Sequence, residues 1–177
     1  MSLRSDIEQW DKKAVQPIAK AYNAHASSPS FIEDLLDMLT EPTLEVGVSW
    51  MLKHAIEADD LVGESLAPEQ LTALYRDATK LTHWESKLHL LQIMEFLPIP
   101  SRAKSNAERF VRDGLDSEHK FVRAWAFSGM HALATNHPAY QAEAETLFEQ
   151  AVSGENEPPS VKARVRKLIK RGFPDSN

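Results

Sequence analysis

Residues 117–134 have the sequence SEHKFVRAWAFSGMHALA, and the spacing within this stretch decides the fold class. With Val122 counted as position zero, apolar or small residues recur at steps 4, 7, 8 and 11. These residues are Ala126, Gly129, Met130 and Leu133. In a helix of 3.6 residues per turn, such spacing places all five side chains on one face. The stretch therefore predicts an α-helix with one buried face.

The same spacing recurs at a nearly constant interval along the chain. Further matches start at Asp11, Val48, Trp84 and Val161, and the five starting points lie 36 to 39 residues apart. The match from Val161 is the most complete of these, because Val165, Leu168 and Ile169 follow at steps 4, 7 and 8. A fixed interval of this size indicates repeats of two helices that bury their apolar faces only by stacking on one another.

Two of the five matches are less regular. Trp84 is followed in step by Leu88 and Leu91, but Gln92 and Glu95 occupy steps at which apolar residues are expected. The match from Asp11 begins with a polar residue. An irregular helical bundle is therefore the alternative to a regular array. No stretch alternates with period two, so no β-strand is predicted.

The pair Val122 and Arg123 begins a stretch that resembles the second helix of a HEAT repeat, whose pattern runs Val-Arg-x-x-Ala-x-x-Ala-Leu-x-x-Leu. The resemblance implies an all-α fold, an α-α superhelix forming a right-handed solenoid of about four to five HEAT-like helix pairs. Residues 1–177 would form one domain, with an N-terminal capping helix over residues 1–25 and a tail over residues 172–177. Arg123 would act as a ladder arginine that hydrogen-bonds an acid or a carbonyl in a neighbouring turn, at Asp116 or Glu118.

Composition narrows the possible functions. The 177 residues contain no cysteine, which excludes disulfides and thiolate metal sites and favours a reducing, cytoplasmic location. The N-terminal stretch is polar and no apolar run approaches ~18 residues, so a soluble protein is expected. There is no GxSxG motif, glycine-rich phosphate loop or HExxH motif. We therefore expect no catalytic residues, no metal site and no cofactor.

Charge is distributed unevenly along the chain. The formal net charge is −6, with a balance of −8 over residues 1–99 and +2 over residues 100–177. An acidic total is unfavourable for wrapping nucleic acid, so a nucleic-acid partner is not expected. Positive charge is concentrated in residues 162–171, where it could cap the last helix or bind an acidic partner.

Partner-binding residues are expected on the second helix of each pair, since these helices usually line the inner surface of such an array. Steps 2, 5, 6 and 9 point away from the buried face. From these steps we predict an inner groove lined by Trp50, His54, His89, Phe127, His131, Arg166, Lys167 and Lys170. The alternative is that the apolar members belong to the core, because neighbouring repeats also touch sideways. The histidines could converge on an anion or a metal, although no carboxylate is grouped with them.

Two functions from different classes follow. The first is a non-catalytic interaction or scaffold module that grips a protein segment, including an acidic one, in the inner groove. The second is a nucleic-acid-binding or DNA-repair protein, because residues 121–127, FVRAWAF, loosely resemble repeats of the HEAT-like DNA glycosylases for alkylated purines. That resemblance implies a basic inner wall, which the acidic half of the chain opposes, and the catalytic acid of that family matches no residue here. A regulatory domain of a larger assembly is a third hypothesis.

Overall fold

The computed structural model describes residues 2–174, which form α-helices and short 3-10 turns without any β-strand. The helices are α1 Leu3–Glu8, α2 Val15–His25, α3 Phe31–Met38, α4 Glu45–Ala58, α5 Asp60–Ser65, α6 Pro68–Ala78, α7 Trp84–Ile93, α8 Lys104–Leu115, α9 Lys120–Asn136, α10 Gln141–Ser153 and α11 Pro159–Arg171. The all-α prediction is confirmed for this range. None of these helices has both the length and the apolar character needed to cross a bilayer. Residues 175–177 of the predicted tail lie outside the described residues.

Most helices pack on helices that are close to them in the chain. Helix α1 packs on α2, α3 on α4, α8 on α9 and α10 on α11. A second set of contacts joins α2 with α4, α4 with α7, α7 with α9 and α9 with α11, and α6 contacts both α3 and α8. The buried apolar side chains lie between these helices.

Helix α9 is the most deeply buried element. Eleven of its 17 residues are buried, because α7, α8, α10 and α11 all pack against it. Gly129 lies where α9 closely approaches α8 and the segment that follows α7. A Cβ atom at this position would lie 3.0 Å from Cγ2 of Val111 on α8 and 3.1 Å from Sδ of Met94. The absence of a side chain at residue 129 thus allows three segments of the chain to meet.

The N-terminal region differs from the single capping helix predicted over residues 1–25. It contains two helices, α1 and α2, separated by residues 9–14. The Asp11 carboxylate accepts hydrogen bonds from the backbone N–H groups of Lys13 (2.9 Å) and Ala14 (3.4 Å), which favours a turn over a helix. Pro17 consequently lies in the first turn of α2, where its missing N–H costs nothing. Val15, which lies at step 4 counted from Asp11 and was therefore expected to be buried, is 56% exposed.

The buried face of α7 starts two residues later than predicted. Trp84 is 38% exposed, whereas the side chain of Ser86 is fully buried. Steps 4, 7, 8 and 11 counted from Ser86 are all buried apolar residues, namely Leu90, Ile93, Met94 and Leu97. The apolar pattern missed this register because its first position is a small polar residue. Starting points at Val48, Ser86, Val122 and Val161 remain 36 to 39 residues apart.

Candidate functional site

Two of the residues predicted to line an open groove lie in the core. Phe127 and His131 are each only 6% exposed. Phe127 packs against Phe148 of α10 at 6.2 Å between ring centroids, and His131 stacks on Phe173 at 4.8 Å. Helix α10 and residues 172–174 cover this side of α9, so neither residue is available to a partner. Sideways contact between neighbouring helices, the alternative considered above, explains their burial.

His131 fastens the end of the described chain to α9. Its Nε2 atom lies 2.7 Å from the carbonyl oxygen of Gly172. Burial lowers the pKa of His131, which favours the neutral ring with Nε2 as the hydrogen-bond donor. The residue therefore has a structural role.

The predicted groove residues on α4 and α7 do not form a single cluster. The Trp50 ring stacks on His54 at 4.9 Å, and the Tyr22 ring lies 4.5 Å from His54 in a T-shaped arrangement. His89 is half-buried, with Nδ1 3.0 Å from Oγ of Ser49. The three histidines His54, His89 and His131 thus have separate partners. Within residues 2–174 no three His, Cys, Asp or Glu side chains are grouped to hold a metal.

Acidification should destabilise the fold through His89. Burial, together with the positive charges of Lys53 and His83, lowers the pKa of His89 from 6.5 to about 4. As the pH falls below 6.5 the unfolded chain binds the proton first, so the stability contributed by the neutral ring is lost between pH 6.5 and 4. We expect this loss to be about 1–2 kcal/mol, given ~1.4 kcal/mol per pKa unit and a ring still partly in contact with water.

This effect can be measured by urea unfolding of the wild type and of His89→Asn at pH 7 and pH 4.5. Carboxylates titrate in both proteins, so the difference between their pH dependences isolates residue 89. The variant should lose about 1–2 kcal/mol less on acidification. An equal loss in both proteins would show that His89 is not the group responsible.

The predicted cationic residues Arg166, Lys167 and Lys170 are exposed on α11. None forms an ion pair with another residue of the described range. Lys167 follows Arg164 by three positions and lies on the same side of the helix, whereas Arg166 lies on a different side. Lys170 follows Arg166 by four positions and Lys167 by three, so these three exposed cations are neighbours on the surface of α11.

Aromatic and cationic side chains lie next to one another on α7, α9 and α11. We call this group the aromatic–cationic strip, and its members are Trp84, His119, Phe121, Trp125 and Arg164. The Trp84 and His119 rings stack at 3.9 Å, and His119 lies 5.7 Å from Phe121. Trp125 follows Phe121 by one helical turn, and the Arg164 guanidinium carbon lies 3.3 Å from the centre of the Trp125 ring.

The turn before α7 holds Trp84 in place. Glu45 is only 2% exposed and accepts hydrogen bonds from the backbone N–H (3.1 Å) and hydroxyl (3.0 Å) of Thr82. It also accepts one from the backbone N–H of His83. A carboxylate of α4 thereby fixes the direction in which α7 begins. Trp84 is the first residue of that helix.

The turn before α9 is held by Arg123. Its guanidinium donates to the carbonyl oxygens of Ser117 (2.8 Å) and Glu118 (3.0 Å), and it pairs with Glu157 at 3.5 Å. The expectation of a bond to a nearby carbonyl is met at Glu118. This arrangement fixes the start of α9, where His119 and Phe121 lie on either side of Lys120.

Trp84 and Phe121 leave much of their apolar area in water. They are 38% and 46% exposed, and both contact His119. Neighbouring exposed aromatic groups are typical of partner surfaces. The Lys120 ammonium lies 5.2 Å from the centre of the Phe121 ring, so positive charge accompanies the apolar surface.

Arg164 is a half-buried cation without a carboxylate partner in the described range. Two other arginines are similarly half-buried, and each forms an ion pair, Arg112 with Glu108 and Glu143 and Arg123 with Glu157. Arg164 instead stacks on Trp125 and donates to the Ser128 hydroxyl at 3.2 Å. Burial lowers the pKa of Arg164, although a guanidinium stays protonated in proteins.

The sequence pattern did not indicate the four aromatic members of the strip as site residues, and it indicated Arg164 only as part of the positive charge in residues 162–171. The prediction considered the side of each helix opposite the buried face, whereas Phe121 and Trp125 occupy steps −1 and 3, beside that face. Arg164 lies at step 3 counted from Val161, as Trp125 does counted from Val122, so the two partners of this contact share a step on α11 and α9.

The strip offers stacking surfaces and hydrogen-bond donors. No protein-family model matches the chain, and comparison with curated proteins gives no significant match.

Proposed function

We propose that this protein is a non-catalytic interaction module, a HEAT-like array that binds a protein partner through the aromatic–cationic strip. The observation that carries the proposal is the pair of exposed aromatic side chains Trp84 and Phe121, joined through His119 and continued by Trp125 and Arg164. Large aromatic anchors beside an arginine are the residues that contribute most to protein interfaces.

The array is supported by polar contacts that span about one repeat. Glu45 bonds to residues 37 and 38 positions later, and Ser49 contacts His89 40 positions later. Asn136 accepts from the backbone N–H of Ile99, 37 positions earlier, and Arg164 donates to Ser128 over a separation of 36. The sequence intervals of 36 to 39 residues match these separations. Such a succession is expected when equivalent surfaces of neighbouring units meet.

Replacing both Trp84 and Phe121 with alanine should abolish capture of the partner while the helices remain folded. Both side chains are partly exposed, so the variant loses little core packing, but it loses the apolar anchors of the strip. The measurement is affinity purification of the tagged full chain from the cells that produce it, with quantitative mass spectrometry of co-purified proteins. At least one protein should be enriched with the wild type and reduced at least tenfold with the variant.

Leu61→Ala provides the matched control, because Leu61 is an apolar side chain that is 67% exposed on α5, away from the strip. It should retain the partner. If the same proteins co-purify equally with all three versions, the strip is not the binding surface and the proposal is wrong.

A further inference from the structure

We propose that the aromatic–cationic strip recognises an acidic peptide segment in which an aromatic or aliphatic side chain lies two positions from an aspartate or glutamate. This inference rests on the proposed function and adds the chemistry of the partner. The apolar side chain would pack on Trp84 and Phe121, and the carboxylate would pair with Arg164.

The case for a carboxylate starts from the unused donors of Arg164. A guanidinium has five N–H donors, and within the described range its only acceptor is the Ser128 hydroxyl. The Trp125 ring, whose centre lies 3.3 Å from the guanidinium carbon, restrains the group before any ligand arrives. A restrained planar guanidinium is suited to bidentate hydrogen bonds with a carboxylate. Pairing would also neutralise a charge that is half withdrawn from water.

The surrounding charges point in the same direction. Lys120 lies over Phe121, and Lys167 lies one turn beyond Arg164 on the same side of α11. Neither lysine forms an ion pair with any residue in the described part of the chain. By contrast, Glu95, the acid whose charge acts on Arg164, is paired with Arg171, and Glu157 is paired with Arg123. The two lysines are thus available to a ligand, and these two acids are occupied.

The spacing of the motif follows from helix and strand geometry. Phe121 and Trp125 are one turn apart on α9, which separates their side chains by about 6 Å. In an extended peptide, side chains on the same face are two residues apart and separated by about 6.6 Å. One extended segment can therefore place an apolar side chain on Phe121 and a carboxylate on the guanidinium that covers Trp125.

A nucleic acid offers phosphates and bases that could occupy the same groups, but the charge of the whole chain disfavours it. The net charge is −6, and the half of the chain that contributes Trp84 carries a balance of −8. A polyanion would be repelled beyond the strip, whereas a short acidic segment meets only the local cations.

The test is a selection from a random dodecapeptide display library against the immobilised full-length chain, followed by fluorescence anisotropy with the most enriched peptide. Enriched sequences should contain Asp or Glu two positions from Phe, Trp, Tyr, Leu or Ile. Arg164→Gln should weaken binding of that peptide at least tenfold, since a charge-assisted bidentate contact is lost. Arg166→Gln, an exposed arginine on the same helix without a described partner, should bind as the wild type does.

Circular dichroism melting shows whether Arg164→Gln is folded, and Arg164→Lys, which keeps the charge without the planar fork, should be intermediate. Enrichment of peptides without acidic residues, failure to enrich any sequence, or equal losses for Arg164→Gln and Arg166→Gln would overturn the inference. So would tighter binding of fluorescein-labelled oligo-dT than of the peptide, with the same sensitivity to Arg164→Gln. If peptide binding needs Trp84 and Phe121 but not Arg164, the proposal of an interaction module is supported and the inference of an acidic peptide is wrong.

Discussion

Glu45→Gln is expected to destabilise the protein by about 3 kcal/mol, although the two side chains have nearly the same shape. The carboxylate is buried and accepts three hydrogen bonds, two from Thr82 and one from His83. The amide group of glutamine would replace one accepting oxygen with a donor, so at least one N–H or hydroxyl would lose its acceptor. Hydrogen bonds to a charged group contribute about 1.5–3 kcal/mol each, and an unpaired buried donor adds its own desolvation cost.

Urea unfolding monitored by circular dichroism measures the effect. Glu33→Gln is the matched control, because Glu33 is exposed on α3, and its change should stay within about 0.5 kcal/mol. The Glu45 variant should also bind the selected peptide more weakly, since the turn that carries His83 and Trp84 is no longer fixed. A loss of less than about 1 kcal/mol would show that water or neighbouring groups satisfy Thr82 and His83 without the carboxylate.

Periodicity located the helices that carry apolar residues at every buried step. The predicted starting points Val122 and Val161 are both fully buried, on α9 and α11. The method failed at α7 because Ser86 is buried at the first step, and a rule based on apolar residues passes over a serine. The apolar pattern pointed to Trp84 instead, which has more apolar surface but is the first residue of α7. Burial of a small polar side chain depends on the neighbouring helices, and a single-helix pattern contains no information about them.

The N-terminal turn shows a second limit of pattern reasoning. Residues 3–23 carry apolar side chains at helical spacing on both sides of Asp11, which favours one continuous helix. The hydrogen bonds from the Asp11 carboxylate to Lys13 and Ala14 compete locally with helical ones. Aspartate in a helix is common enough that composition alone does not decide between the two outcomes.

The candidate site could not be predicted from the sequence for a related reason. Its central contact joins Trp125 to a residue 39 positions later, and the cation involved belongs to a run of charges that suits a C-terminal cap equally well. Arg164 differs from Arg166 only in the face it occupies on α11. The structure separates them, since one stacks on an indole and the other is exposed. Conversely, Phe127 and His131 were predicted to be accessible because a single-helix pattern does not show that α10 and residues 172–174 cover them.

Gly129→Leu is expected to destabilise the protein by about 3 kcal/mol or more. A Cβ atom there would lie 3.0 Å from Val111, 3.1 Å from Met94 and 3.2 Å from Leu91, so the rest of a leucine side chain has no room. Overpacking typically costs about 1–3 kcal/mol, and here α8, α9 and the end of α7 would all have to move. Ala163→Leu, on the exposed side of α11, adds a leucine in another helix and should be nearly neutral.

Leucine has a higher helix propensity than glycine, so any destabilisation by Gly129→Leu must come from its contacts. A double variant tests whether residues 91 and 129 share one packing site. Leu91→Ala alone should cost about 2–5 kcal/mol through the cavity it leaves. Combined with Gly129→Leu, it should cost less than the two changes added together, because the new side chain fills the vacated volume. Additive losses in urea unfolding would mean that residues 91 and 129 do not share one packing site. The close stacking of α7 on α9, on which the position of Trp84 beside His119 depends, would then be incorrect.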